Sequence, residues 1–94
     1  MNLYRVFVEG RRIETVVDNA RSMMGFYATR WVNAESPAAA AKEGVAVITR
    51  ELYAGRPILN ADDEPLELIV EGVSEATEAP ATPPGFVWYP EGGE

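Results

Sequence analysis

The sequence predicts an α+β domain of two layers: an antiparallel sheet of three to four strands with one main helix packed on one face. Three observations carry that expectation. Residues 3–9 (LYRVFVE) and 25–34 (GFYATRWVNA) are rich in β-branched and aromatic side chains, as strands are. Between residues 35 and 55 the apolar positions switch to a helical period, with a capping signal in front and stop signals behind. The 94 residues suffice for one modest core, since a chain of this size buries roughly 60–65% of the surface it exposes when unfolded.

The first strand, 3–9, ends at Gly10. Its two-residue period places Tyr4, Val6 and Val8 on one face and Leu3, Arg5 and Phe7 on the other. Residues 10–24 admit two readings. Ile13, Val16, Val17, Ala20, Met23 and Met24 recur at helical spacing, but Gly10 is a poor cap and Asp18-Asn19 is a turn signal. A short strand over 13–17 followed by a loop is therefore preferred to a helix. Residues 25–34 form the clearest strand, with Phe26, Ala28, Arg30, Val32 and Ala34 on one side and Tyr27, Thr29, Trp31 and Asn33 on the other.

The helix begins at Ser36, whose hydroxyl oxygen can accept from a free backbone N–H, and Pro37 occupies the first helical position, where a missing donor costs nothing. Ala41, Val45, Ile48 and Leu52 make an apolar stripe expected to face the sheet, while Lys42, Glu43 and Arg50 point elsewhere. Gly44 weakens the middle by about 1 kcal/mol relative to alanine, a cost that close packing would justify. Gly55 and Pro57 end the helix. An acidic loop follows at 60–65, then a third strand at 66–73 with Leu66, Leu68 and Val70 on one face. The chain thus divides into a compact domain (1–75), a Pro-rich linker (76–85) and an aromatic C-terminal segment (86–94) that docks on the domain or on a neighbouring subunit.

Charge is unevenly distributed. Residues 1–56 carry all eight basic side chains against six acidic ones, +2 net, whereas residues 57–94 carry nine acidic side chains and no basic one. The acidic half keeps the protein soluble, or docks on the arginine-bearing half. Nucleic-acid binding is disfavoured, because phosphates are repelled by the acidic half and no lysine-rich stripe attracts them. No stretch approaches the ~20 apolar residues of a membrane span, and no signal peptide is visible, so a cytoplasmic location is expected.

The side-chain repertoire argues against catalysis. Without cysteine or histidine there is no disulfide, thiolate or imidazole, so the commonest general base and metal ligand are missing. Asn60, Asp62 and Glu64 superficially echo a calcium loop with Glu71 at its twelfth position, but Pro65 stands where that loop needs glycine. Glu67 and Glu71 would lie about 13 Å apart along a strand, wider than the carboxylate pairs of glycosidases. No metal, cofactor or enzymatic role is expected. What remains is surface recognition, through a sheet face drawn from Leu3, Phe7, Tyr27, Trp31 and Ile69 with Arg5, Glu67 and Glu71. The candidate interface residues are Tyr27, Arg30, Trp31, Phe86, Trp88 and Tyr89. They suit self-association or a protein partner, whose usual anchors are Trp, Tyr and Arg, or alternatively an anion held by Arg30.

The segment Gly25-Phe26-Tyr27-Ala28-Thr29-Arg30-Trp31-Val32-Asn33-Ala34, with Glu35-Ser36-Pro37 and the helix after it, resembles a family of small bacterial proteins. That family has a GFYxTRxVxA strand before an alanine-rich helix. The resemblance runs from Leu3 to about Val73 and includes Gly85-Phe86-Val87-Trp88-Tyr89; it implies the strand-then-helix order and no activity. Tyr4–Val8 and Phe26–Ile48 are similar, at the level of fold, to the HicB-type antitoxin domain, which would imply regulatory binding of a partner protein. No helix-turn-helix or ribbon-helix-helix segment follows the third strand here.

Three aromatics beyond a linker with nothing to bury should be ordered against apolar surface, each able to bury about 150–250 Å². Deleting residues 85–94 is therefore expected to lower the melting temperature or change the oligomeric state. Unchanged melting, mass and solubility would contradict docking of this segment.

Overall fold

In the computed structural model, which describes residues 1–91, the chain folds as a four-stranded antiparallel sheet with one helix against one face. The strands are β1 (Asn2–Val17), β2 (Ala20–Ala34), β3 (Glu67–Glu75) and β4 (Val87–Pro90), and the helix is α1 (Pro37–Gly55). Their order across the sheet is β3-β1-β2-β4, each pair antiparallel. Residues 92–94, the last part of the C-terminal segment, lie outside the described residues. Among the described residues no helix is long and apolar enough to cross a membrane.

The stretch left open by periodicity is strand throughout. β1 and β2 make one long hairpin, closed at Asp18 and Asn19 with φ of 52° and 66°. Two consecutive positive φ values are the signature of the two-residue turn whose twist matches that of the flanking strands, and Asp and Asn tolerate them. The preferred reading of 13–17 as strand thus agrees with the structure, whereas 20–24, expected as loop, pairs back along β1. The helical spacing of Ile13, Val16 and Val17 mixes the two faces of one strand: Ile13 and Val17 share a face, and the exposed Val16 lies on the other. Upstream, Arg11 and Arg12 together oppose Gly25 as a bulge, with Arg12 at φ 60°, so the inward face changes from Val8 and Gly10 to Ile13 and Thr15.

The core lies between sheet and helix. Tyr4, Val6, Val8, Ile13, Phe26, Ala28, Val32 and Ala34 bury against Ala40, Ile48 and Leu52. Ser36 caps α1 by accepting from the Ala39 N–H at 3.1 Å, and Arg56 in extended backbone ends it. The stripe of the helix needs correction at its first half. Ile48 and Leu52 are buried as expected, but the buried positions above them are Ala40 and Gly44, while Ala41 and Val45 are only half-buried. The reason is contact distance. A Cβ on Gly44 would meet Val6 Cγ1 at 2.7 Å and Cβ at 2.8 Å, so the helix backbone rests directly on β1 at that point. Bulkier Val45 is pushed to the flank.

After the helix, the chain lies along the distal half of β1, where β3 does not reach. Leu59 N–H donates to Glu14 O (2.7 Å), Thr15 Oγ1 donates to Pro57 O (2.6 Å), and the Asn60 carboxamide accepts from Glu14 N–H while donating to Arg12 O and Glu64 O. The acidic loop is thereby tied to the bulge. β3 starts one residue later than expected and runs on to Glu75, with Glu71 as an extra residue opposite the Phe7–Val8 step of β1.

Ile48→Ala and Leu52→Ala should each cost about 2–5 kcal/mol, and Val45→Ala clearly less, as read from chemical denaturation. Gly44→Ala tests the contact with Val6. Helix propensity alone favours alanine by about 1 kcal/mol, but a methyl forced against a branched core side chain typically costs about 1–3 kcal/mol. The variant should come out destabilised, and a gain in stability would show that helix and sheet separate easily at this point.

Candidate functional site

The C-terminal segment adds to the sheet as an edge strand and places its aromatics on both faces. Phe26 pairs with Trp88 and Tyr27 with Val87, so alternate side chains of β4 point to opposite sides. On the helix side Phe26, wholly buried, packs against Phe86 (centroids 4.7 Å) and Trp88 (5.2 Å). On the other side Phe7 stacks on Tyr27 (5.6 Å) and Tyr27 meets Tyr89 (5.5 Å), making an aromatic row across three strands. Register puts Leu3, Arg5, Trp31, Ile69 and Val87 on this same face, away from α1. Tyr27 is 39% and Val87 63% exposed, while Phe7, Trp31 and Tyr89 are half-buried. Arg5 lies over the Phe7 ring at 5.9 Å.

The six candidate residues therefore fall into two groups. Tyr27, Trp31 and Tyr89 belong to the open face, and Arg30, Phe86 and Trp88 to the helix side. Arg30 is buried and each of its guanidinium nitrogens has an acceptor. Nε and Nη2 hold the Glu51 carboxylate of α1, and Nη1 donates to Thr29 O (2.6 Å) and Pro84 O (2.8 Å). Its charge is matched by Glu51 and its Cζ lies 5.4 Å from the centre of the Phe86 ring. That arrangement makes Arg30 a clasp joining sheet, helix and linker, which leaves little capacity for a free anion. Beside it, a cleft of about 230 Å³ opens between the last turns of α1 and β4, with the Arg56 guanidinium over Trp88 at 4.3 Å. The linker residues 77–85 are all exposed.

One polar cluster escaped sequence reasoning. Glu9 is 6% exposed on the open face, where its carboxylate accepts from Tyr89 Oη (2.6 Å) and Arg11 Nη2 (3.1 Å). The Tyr89 hydrogen bond, and after it Arg11, lowers the Glu9 pKa to about 2, and the same bond raises that of Tyr89 to about 12. The Arg11 pKa is raised by Glu9. The Tyr89 ring lies over Gly25, where any Cβ would collide with it. Eighty positions separate Glu9 from Tyr89, so only the pairing of β4 beside β2 could reveal the contact. Ion pairing between the halves of the chain is modest. Arg12 reaches Glu67 at 3.8 Å and its N–H donates to Glu91, but Arg11, Arg21 and Arg30 pair with Glu9, Glu14 and Glu51 of their own half.

No protein-family model, curated protein or solved structure matches the chain. Function is therefore to be read from geometry.

The Glu9–Tyr89 bond has a calculable pH signature. Glu9 has a folded pKa below its ordinary 4.5, so its contribution is complete above pH 4.5 and is lost as pH falls towards 2. Tyr89 has a folded pKa above 10, so its contribution is present below pH 10 and is lost as pH rises towards 12. Thermal stability should decline in both windows. Tyr89→Phe should flatten the alkaline limb and move the Glu9 carboxyl titration, followed by NMR, upward towards its ordinary value. An unmoved Glu9 titration would refute the bond.

Proposed function

We propose that this chain is a small, non-catalytic protein-interaction module of the cytoplasm that associates with a second copy of itself through its sheet. The observation that supports the reading is the face opposite α1. There the row Phe7, Tyr27 and Tyr89, flanked by Leu3, Trp31, Ile69 and Val87 and interleaved with Arg5, Glu9 and Thr29, presents an aromatic surface on a chain of only 94 residues. Monomeric domains rarely leave such patches wet, and Tyr and Trp are the side chains that anchor interfaces. A stable pair needs about 800 Å² from each partner, which is about one-seventh of the 5881 Å² surface of this chain and compatible with one sheet. The rigid two-layer fold would supply the preorganisation that keeps the entropic cost of association low.

Sedimentation equilibrium should return twice the mass of the chain at concentrations of about 100 μM, two decades above a micromolar dissociation constant. Trp31→Ala, which shortens an anchor at the rim of the aromatic face, should weaken the pair about tenfold or more, as hot-spot truncations do. A protein that stays monomeric over the whole range overturns the reading.

A further inference from the structure

The cleft between α1 and β4 carries an unmatched guanidinium. Its lining is Glu51, Leu52, Gly55, Arg56, Phe86 and Trp88. Glu51, the carboxylate in that lining, is already held by Nε and Nη2 of Arg30. Arg56 stands at the C-cap of α1, where the carbonyl end of a helix favours a cation, and its Cζ lies 4.3 Å from the centre of the Trp88 ring. Yet it joins no ion pair and makes no side-chain hydrogen bond among the described residues. Arg11, Arg12, Arg21 and Arg30 are each paired with a carboxylate. Stacking on a ring engages the flat face of a guanidinium and leaves the N–H donors at its edge free.

We propose that this cleft binds a small monocarboxylic acid with a flat apolar body, its carboxylate received by Arg56 and its body seated against Leu52, Phe86 and Trp88. The inference goes beyond self-association, and the cleft lies on the helix side of the sheet, opposite the aromatic row. Charge decides the sign of the ligand. Two guanidinium groups, Arg30 and Arg56, meet one carboxylate, Glu51, so the site has one positive charge in excess although the chain as a whole carries −7. A cationic ligand would face Arg56 with no free carboxylate to hold it. One carboxylate balances the excess, and its two oxygens match the parallel donors of a guanidinium edge. A phosphate group, at about −1.5 to −2 near pH 7, would overcharge a site that already contains Glu51. Size and lining decide the body. The volume of about 230 Å³ is the liquid share of about eight water molecules and falls below the roughly 300–1,000 Å³ of sites for drug-sized ligands, which suits an acid with one ring. Leu52 is buried, and the Phe86 and Trp88 rings stack at 5.9 Å, so the walls are apolar with one charged group to fix orientation, the usual composition of a small-molecule site.

Titration of the full-length protein with phenylacetate, followed in proton–nitrogen NMR correlation spectra, tests the assignment. For about ten non-hydrogen atoms in an open cleft, a dissociation constant of about 1 mM is expected. The Trp88 indole N–H and the Gly55 and Phe86 amides should shift together, whereas the Trp31 indole, on the other face of the sheet, should not. Phenylacetamide, of the same shape without the charge, should bind about tenfold more weakly, because the charge-assisted pair with Arg56 is lost. Arg56→Gln should weaken phenylacetate about tenfold or more and leave phenylacetamide unchanged, a difference that a merely structural role for Arg56 would not produce. A peptide ending in phenylalanine with a free carboxylate presents the same chemistry on a longer chain and should bind more weakly than phenylacetate. Tighter binding by the peptide would assign the cleft to a chain terminus and overturn the small-acid assignment. Absence of saturable shifts, equal binding of acid and amide, unaltered acid affinity in Arg56→Gln, or shifts centred on Trp31 would each overturn the proposal. None of these outcomes bears on the mass of the protein in solution, which decides self-association separately.

Discussion

The ladder between β1 and β2 is the constraint on which everything else hangs. These strands run 16 and 15 residues, about three times the usual strand length. A slip of one residue would move Tyr4, Val6, Val8, Phe26, Ala28 and Val32 from the core to solvent, so one register is strongly preferred. The Asp18-Asn19 turn sets that register from the closed end, because a two-residue loop with both φ values positive joins strands of this twist without splaying them. β3 and β4 add to the margins of this hairpin, and the helix lies across it.

The layers meet where side chains are missing. Gly10 and Gly25 each sit beneath an aromatic ring from the adjoining strand, Phe26 over the first and Tyr89 over the second. An aromatic across from a glycine covers backbone that would otherwise be exposed and restores packing that glycine cannot supply. Gly44 plays the corresponding part between helix and sheet, seating the helix on Val6. The bulge at Arg11–Arg12 belongs to the same design. It lets the distal hairpin keep Ile13 and Thr15 inward although the strand has gained a residue, and its left-handed Arg12 is held by hydrogen bonds from Asn60 and to Glu91.

Polar groups are used sparingly and in full. Among the described residues no buried side-chain nitrogen or oxygen lacks a partner, as expected of a folded interior where an unpaired group costs about 1–3 kcal/mol. Arg30 and Glu9 mark the two sides of this economy. Arg30 ties the linker and α1 to β2 on the core side, and Glu9 ties β4 to β1 through Tyr89 on the open side. Both contacts anchor the C-terminal segment, so the aromatic row is completed by a strand that arrives last in the chain. Acidic character is concentrated at the β3 margin, away from Trp31.

Much of this was determined by the sequence alone, because the signals involved are local. The inward and outward faces of 3–9 and 25–34 follow from a period of two; Ser36, Pro37 and Gly55 bracket a helix through backbone groups that neighbouring residues must satisfy. The α+β class follows from those elements and the length of the chain. What the tertiary structure decided is non-local. The helical look of 10–24 came from two antiparallel strands read as one element: Ile13 and Val17 share a face, Val16 lies on the other, and Ala20, Met23 and Met24 belong to the returning strand. The helix register depended on where Gly44 could approach Val6, a contact between elements 38 positions apart. Arg30 looked available for a ligand because its partners, Glu51 and Pro84, lie 21 and 54 positions away. The division of the C-terminal aromatics between the two faces likewise awaited the register of β4 on β2. Hydrogen-bond ladders and close contacts between distant segments leave no mark on local composition, so they become visible only once the chain is folded.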